Sequence, residues 1–219
     1  MAKILVIASG KGGSGKSTQS RNIIPVALAA GLRVVAFDAD PQKTLLNFHA
    51  ARMKRAEVPQ CAVYAATIED VVGLAREQRD VDLIIVDTPT ALENSPVAVK
   101  QLLLASDLVL IPSQPTTDDV ASVRTLMAAA TALGKQAAFV LNRVDVRVKE
   151  AEGARHALLR HGPLLAASLP ASIEIQRAMK LGLGITETGG RGAADMQAIW
   201  HEVGRALGFA QSAEVIEHG

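Results

Sequence analysis

Between the apolar run Ile4-Leu5-Val6-Ile7-Ala8 and a helical pattern lies a glycine-rich stretch in which Gly10, Gly15, Lys16 and Ser17 satisfy the spacing G-x-x-x-x-G-K-[ST]. A strand entering and a helix leaving is the context that a phosphate-binding loop needs. The glycines let backbone N–H groups turn inward around phosphate oxygens, and the helix N-terminus adds partial positive charge. Lys16 then neutralises the β- and γ-phosphates, and the Ser17 hydroxyl ligates Mg²⁺. Downstream, Leu83-Ile84-Ile85-Val86 ends in Asp87. That is a strand buried on both faces that delivers a carboxylate to its tip, the Walker B pattern, with Asp87 holding Mg²⁺ through a water. The apolar run Val34-Val35-Ala36-Phe37 ends likewise in Asp38 and Asp40. These carboxylates either serve the ligand site of an α/β sheet or cap the following helix.

Lys11 adds a feature that the phosphate loop does not require. Lys11 through Thr18 reads K-G-G-x-G-K-[ST]-[ST], and in this the chain resembles the ParA/MinD family of deviant Walker ATPases. The resemblance implies that Lys11 crosses a dimer interface to the phosphates of a partner's nucleotide. It implies that Gly12, Gly13, Ser14, Gly15, Lys16, Ser17 and Thr18 line the ATP. Asp38-Ala39-Asp40-Pro41-Gln42 is similar to the family's D-x-D-P-Q switch, where Asp40 orients or deprotonates the attacking water and Asp38 supports the magnesium shell. Lys11, Lys16 and Asp40 are thus the implied catalytic set, with Ser17, Asp38 and Asp87 around the metal. Pro112-Ser113-Gln114-Pro115 resembles the P-x-Q-P turn. Asn142, ending the run 137–141, matches the position that hydrogen-bonds adenine, and Pro170 the loop that flanks it. Asn142 as a simple strand-ending turn residue stays open. Thr90 departs from the family's D-T-P-P or D-T-P-G.

The elements around these residues follow from composition and period. The 219 residues are 49% hydrophobic but only 3% aromatic, so the core is built from Ala, Val, Ile and Leu. That suits an α/β fold, a doubly wound, mostly parallel sheet flanked by helices. We expect a single domain over 1–219, without the N-terminal helix-turn-helix domain of longer partition ATPases. Helices are expected over 18–30, kinked at Pro25, and over 43–56, with a basic face at Arg52, Lys54 and Arg55. Others are expected over 67–79 with Thr67 as N-cap, 92–105, 116–133 and 192–207, with strands over 62–66 and 107–112. In 168–185 the family resemblance implies an L-P turn and a helix whose Arg177 and Lys180 are candidate DNA contacts.

A net charge of +1 excludes a global pull toward nucleic acid, so DNA contact needs a local patch. The basic run 143–161, with Arg143, Arg147, Lys149, Arg155 and Arg160, is either that patch or a solvated face. His156 and His161, five apart, do not share a helical face for a metal. One cysteine, Cys61, excludes a disulfide framework and argues against iron–sulfur relatives; it is expected to pack as a small buried hydrophobe. We expect no leader, no apolar run reaches membrane length, and the tail with Glu214 and Glu217 lacks the basic face of a membrane helix. The single cysteine suits a reducing cytoplasm, and the family resemblance implies association with the nucleoid.

The resemblance therefore implies a Mg²⁺-dependent ATPase that dimerises on ATP, binds nonspecific DNA and is stimulated by a ParB-type or cargo adaptor. Its cargo is plasmid or chromosomal DNA, or alternatively a protein assembly such as a chemoreceptor cluster, microcompartment, secretion or conjugation machinery. A metabolic P-loop kinase or ligase is the third possibility.

Overall fold

The computed structural model describes residues 2–145 and 149–209. Arg147 of the basic run and the tail residues Glu214 and Glu217 lie outside them. The apolar runs form β1 (Lys3–Ile7), β2 (Val34–Asp38), β3 (Ala62–Ala65), β4 (Leu83–Asp87), β5 (Leu108–Ser113), β6 (Ala137–Val144) and β7 (Leu164–Pro170). Among the described residues these make one sheet in the order β3-β2-β4-β1-β5-β6-β7, with every neighbouring pair parallel. The chain winds outward in both directions from the middle, which puts the tip of β1 at the switch point where such sheets take ligands.

Alternation along the strands feeds two cores. Leu5 and Ile7 point into one layer, with α1 (Lys16–Ala29), α2 (Thr44–Arg52), α7 (Ile173–Lys180), α8 (Ile185–Thr188) and α9 (Ala193–Leu207). Val6 and Ala8 point into the other, with α3 (Val71–Glu77), α4 (Pro96–Ala105), α5 (Thr117–Ala132) and α6 (Lys149–Leu159). Trp200 is buried on the core face of α9. The 92–105 helix is broken in two, a short 3₁₀ turn at Leu92–Asn94 and then α4, because Pro96 lacks the N–H of a helix interior and fits the first turn instead. The 67–79 helix begins later than expected. Thr67 caps only a preliminary turn by accepting from the Asp70 N–H at 3.1 Å. Pro25 stays inside α1, its ring against the turn at Gly184.

The expected basic face of the 43–56 helix is corrected. The helix ends at Arg52, whose side chain is 0% exposed. Its guanidinium meets both oxygens of Glu187 at 2.8 Å, and donates to the Pro59 carbonyl at 2.7 and 3.0 Å and to the Gly182 carbonyl at 3.1 Å. A cation leaves water only with such complete pairing. Gly182, at φ +75°, passes so close that a Cβ there would lie 2.3 Å from the Arg52 backbone nitrogen. Lys54 is exposed, and Arg55 bonds the Leu181 carbonyl and Glu57.

Cys61 packs against the first core. Burial pushes its thiol up to about 11, against the opposing pull of Arg52. Thiolate is the reactive form, so native protein at pH 8 is expected to alkylate with iodoacetamide at least about tenfold more slowly than urea-unfolded protein, read by mass spectrometry.

Candidate functional site

The parallel register assembles the site. Ile7 pairs with Asp87 and Asp87 with Asp38, so the tips of β1, β4 and β2 stand in one row beneath the loop 8–15. The loop bends at Gly13 (φ +79°) and Gly15 (φ +105°), and α1 starts at Lys16. At Gly15 a side chain is excluded twice. The backbone is left-handed, and an added Cβ would lie 2.2 Å from Asn142 Nδ2.

Two amides brace the loop from the neighbouring strands. Asn142, at the end of β6, donates through Nδ2 to the Ser14 carbonyl at 2.9 Å, and its Oδ1 accepts from Gln19 at 2.6 Å. Gln114, after β5, donates to the Gly13 carbonyl at 2.7 Å. Asn142 is buried and borders the adjoining cleft, but both ends of its amide are engaged with the loop and α1. Through these two bonds it positions the loop. Gln114 was within the P-x-Q-P segment; Gln19 had no sequence signal.

Lys16 is buried at the head of α1. Burial lowers its pKa, and Asp87 and Asp40 pull it back up. Arg21, one turn on, donates from Nε to the Ser17 carbonyl at 2.9 Å and is similarly lowered by burial, with Asp87 and then Asp38 opposing. Asp87 is 0% exposed, and neither of its oxygens has a hydrogen-bond partner. Burial pushes this carboxyl up to about 7. Ser17 nearby pulls it down, Asp38 adds to the rise, and Lys16 and Ser20 oppose. The Ser17 and Ser20 hydroxyls lie close without reaching a well-formed bond to it.

A buried carboxylate with two orphaned oxygens is the donor that a cation beside Ser17 would satisfy, so the residues present fit Mg²⁺. Among the described residues no group of three or more His, Cys, Asp or Glu side chains is placed to hold a metal. Magnesium suits such a site, because it takes one or two protein oxygens and completes its shell with phosphate and water.

Asp38 is held by backbone N–H groups of the segment that follows it. Its Oδ2 accepts from the N–H groups of Leu45 and Leu46, both at 3.0 Å, and its Oδ1 from the Asp40 N–H at 3.1 Å. It therefore caps α2 and fixes the loop 39–44. Asp40 closes a turn by accepting from the Gln42 N–H at 2.8 Å and stays half-buried at the loop tip. Its electrostatic pull on Lys16 places it near the phosphate end of the site.

Lys11 is half-exposed, and its ammonium sits 3.2 Å from Asp119 in the first turn of α5. The Thr116 hydroxyl shares the same carboxylate oxygen, and the other oxygen is buried without a partner. In the single protomer Lys11 is thus held in cis, beside the loop and not in it.

From Gly15 and Thr18 a cleft of about 650 Å³ extends between α1 and α7. Leu169, Pro170, Ile173, Ile175 and Met179 form its apolar wall; Arg143 and Lys180 line its rim. Pro170, at the end of β7, and Lys180 are therefore beside the nucleotide cleft, while Arg177 is exposed on α7.

A strand, a glycine-bent loop capped by Lys16, an orphaned carboxylate on the adjacent strand and a cleft of nucleoside size define a P-loop nucleotide-binding domain. The chain belongs to the CobQ/CobB/MinD/ParA nucleotide-binding family, whose description matches residues 5–185. It is 32% identical over 208 residues to Maintenance of carboxysome distribution protein A of Gloeobacter kilaueensis, covering 94% of each chain. A Cyanothece McdA–ATP complex superposes with TM-score 0.74 at 19% identity, covering 96% of this chain and 98% of that one. The septum site-determining protein MinD of Pyrococcus horikoshii, in complex with Mg-ADP, superposes with TM-score 0.74 at 20% identity, covering 95% and 98%. No described helix is long and apolar enough to cross a membrane.

Proposed function

We propose that this chain is a single-domain ATPase switch. Bound Mg·ATP closes two protomers into a nucleotide-sandwich dimer, the dimer holds nonspecific DNA, and hydrolysis triggered by an adaptor protein releases it. The observation that carries this reading is Lys11, a second loop lysine that no cis phosphate needs, held outside the loop by Asp119. Lys16 holds the β/γ-phosphates, Ser17 and Asp87 hold Mg²⁺, Asp40 orients water, and the partner's copy of Lys11 offsets charge developing in phosphoryl transfer. Magnesium, when bound, supplies charge neutralisation across the phosphates.

The cargo we infer is a protein assembly, since the relative matched along nearly the whole length is named for carboxysome distribution. DNA segregation is the second reading and shares every step except the cargo. Both place the protein in the cytoplasm on the nucleoid.

Asp40→Ala is expected to keep ATP affinity within about threefold and to lower turnover on the order of 100-fold or more. ATP titration by calorimetry and phosphate release check this, and unchanged turnover removes Asp40 from the mechanism. ATP-dependent retention on random-sequence DNA separates the switch from a metabolic kinase, which has no use for DNA.

A further inference from the structure

A second hollow lies across the sheet from the nucleotide cleft. It is a groove of about 310 Å³ between α5 and α6, lined by Val120, Ala121, Arg124, Ala157, Arg160 and His161. The sequence explains why the two helices part there. Ala121 on α5 and Ala157 on α6 end at a single methyl, and side chains that short leave the space between two helices unfilled. Just beyond, the chain leaving α6 is drawn back onto α5, where Gly162 passes so close to Met127 that a Cβ would lie 2.7 Å from its Sδ. The His161 N–H donates to the Leu158 carbonyl at 2.8 Å as α6 ends, which fixes the imidazole at the groove.

Floor and rim ask for different chemistry. Val120 is buried and Ala157 half-buried, an apolar floor, while Arg124, Arg160 and His161 are exposed around it. Arg160 is aligned along its own helix by an Nε bond to the His156 carbonyl at 3.4 Å. Two guanidinium groups on facing helices are planar forks, each matched to the two oxygens of a carboxylate or a phosphate. The floor decides between these anions. Duplex DNA presents phosphate and sugar and has no apolar group to bury on Val120 and Ala157. A peptide with aliphatic side chains between its carboxylates satisfies floor and rim together.

We propose that the α5–α6 groove is a docking site for an acidic peptide segment of a partner protein. An aliphatic side chain of that segment sits on Val120 and Ala157, and flanking carboxylates are held by Arg124 and Arg160. All six lining residues belong to one protomer, so docking requires neither nucleotide nor a second copy and stands apart from the ATP-driven pairing. It also assigns Arg160 of the basic run to a protein ligand in place of DNA.

The probe is a phage-displayed library of random-sequence peptides, kept if they bind the wild-type chain and discarded if they also bind Arg124→Glu/Arg160→Glu. Both arginines are exposed, so this variant is expected to melt as the wild type does. The retained peptides are expected to be rich in Asp and Glu interleaved with Leu, Ile and Val, and a synthetic one to bind equally with and without Mg·ATP. Ala121→Arg separates the groove from charge alone. It adds a cation but fills the hollow, and is expected to weaken that peptide on the order of tenfold. Retention of no peptide, or of peptides without acidic enrichment, overturns the proposal. So does peptide affinity that Ala121→Arg leaves unchanged or raises, since charge without shape then holds the peptide, or binding that appears only with Mg·ATP. Loss of random-sequence DNA retention in the double arginine variant, with no acidic peptide bound by the wild type, overturns it in favour of a nucleic-acid surface. A changed sedimentation of the nucleotide-free double variant, again with no peptide bound, overturns it in favour of a contact between copies.

Discussion

Lys11→Ala is expected to give a folded protein that binds Mg·ATP as a monomer and turns it over on the order of 10²–10³-fold more slowly than the wild type. The effect on folding is small, because the lost ion pair with Asp119 is half-exposed on the lysine side and such pairs contribute about 1 kcal/mol or less. Asp119 keeps its bond from Thr116. The large effect is in trans. An ammonium brought to the facing protomer's phosphates meets charge that develops only in the transition state, in a site from which closure excludes water. Asp119→Asn separates the cis contact from this role. It removes the charge that holds Lys11 at home, so ATP-dependent pairing should persist.

Gly15→Ala is expected to unmake the site and much of the stability together. The new methyl would occupy the space of the Asn142 amide, 2.2 Å away, at a backbone φ of +105°. Asn142 cannot move aside without releasing both the Ser14 carbonyl and Gln19. Backbone strain and forced repacking together cost roughly 2–4 kcal/mol, and a displaced loop should weaken ATP binding by more than about 100-fold. Gly12→Ala is the matched control. Its Cβ finds nothing nearer than the Thr90 methyl at 3.8 Å, so the fold should be kept. Chemical denaturation and ATP titration of the two variants read the contrast. Equal behaviour would mean that the brace between Asn142 and the loop is unimportant.

What was legible in the sequence is what the backbone does locally. Apolar runs closed by Asp38, Asp87 and Asn142 mark buried parallel strands, because each strand carries its own signal and each tip must reach the ligand edge. The glycine spacing of the loop is legible for the same reason. What escaped depends on partners distant in the chain. Arg52 reads as part of a solvated basic face, and only the return of the chain at Glu187, 135 residues on, buries it. Asp38 has the right chemistry for a metal and for a helix cap, and its cap bonds depend on where the later Leu45 and Leu46 point their N–H groups. Asn142 and Arg143 read as strand end and basic run. A one-residue bulge against Leu169, set by the pairing with β7, turns both toward the cleft.

The central claim is that two copies of this chain share two triphosphates, each lending a lysine to the other. Sedimentation velocity of Asp40→Ala with and without Mg·ATP, alone and with Lys11→Ala added in the same chain, measures it most directly. The expected result is a shift from monomer to dimer mass on adding ATP, abolished in the double variant although it still binds ATP. A monomer that stays a monomer while saturated with ATP, or a double variant that pairs as well as the single one, would contradict the claim.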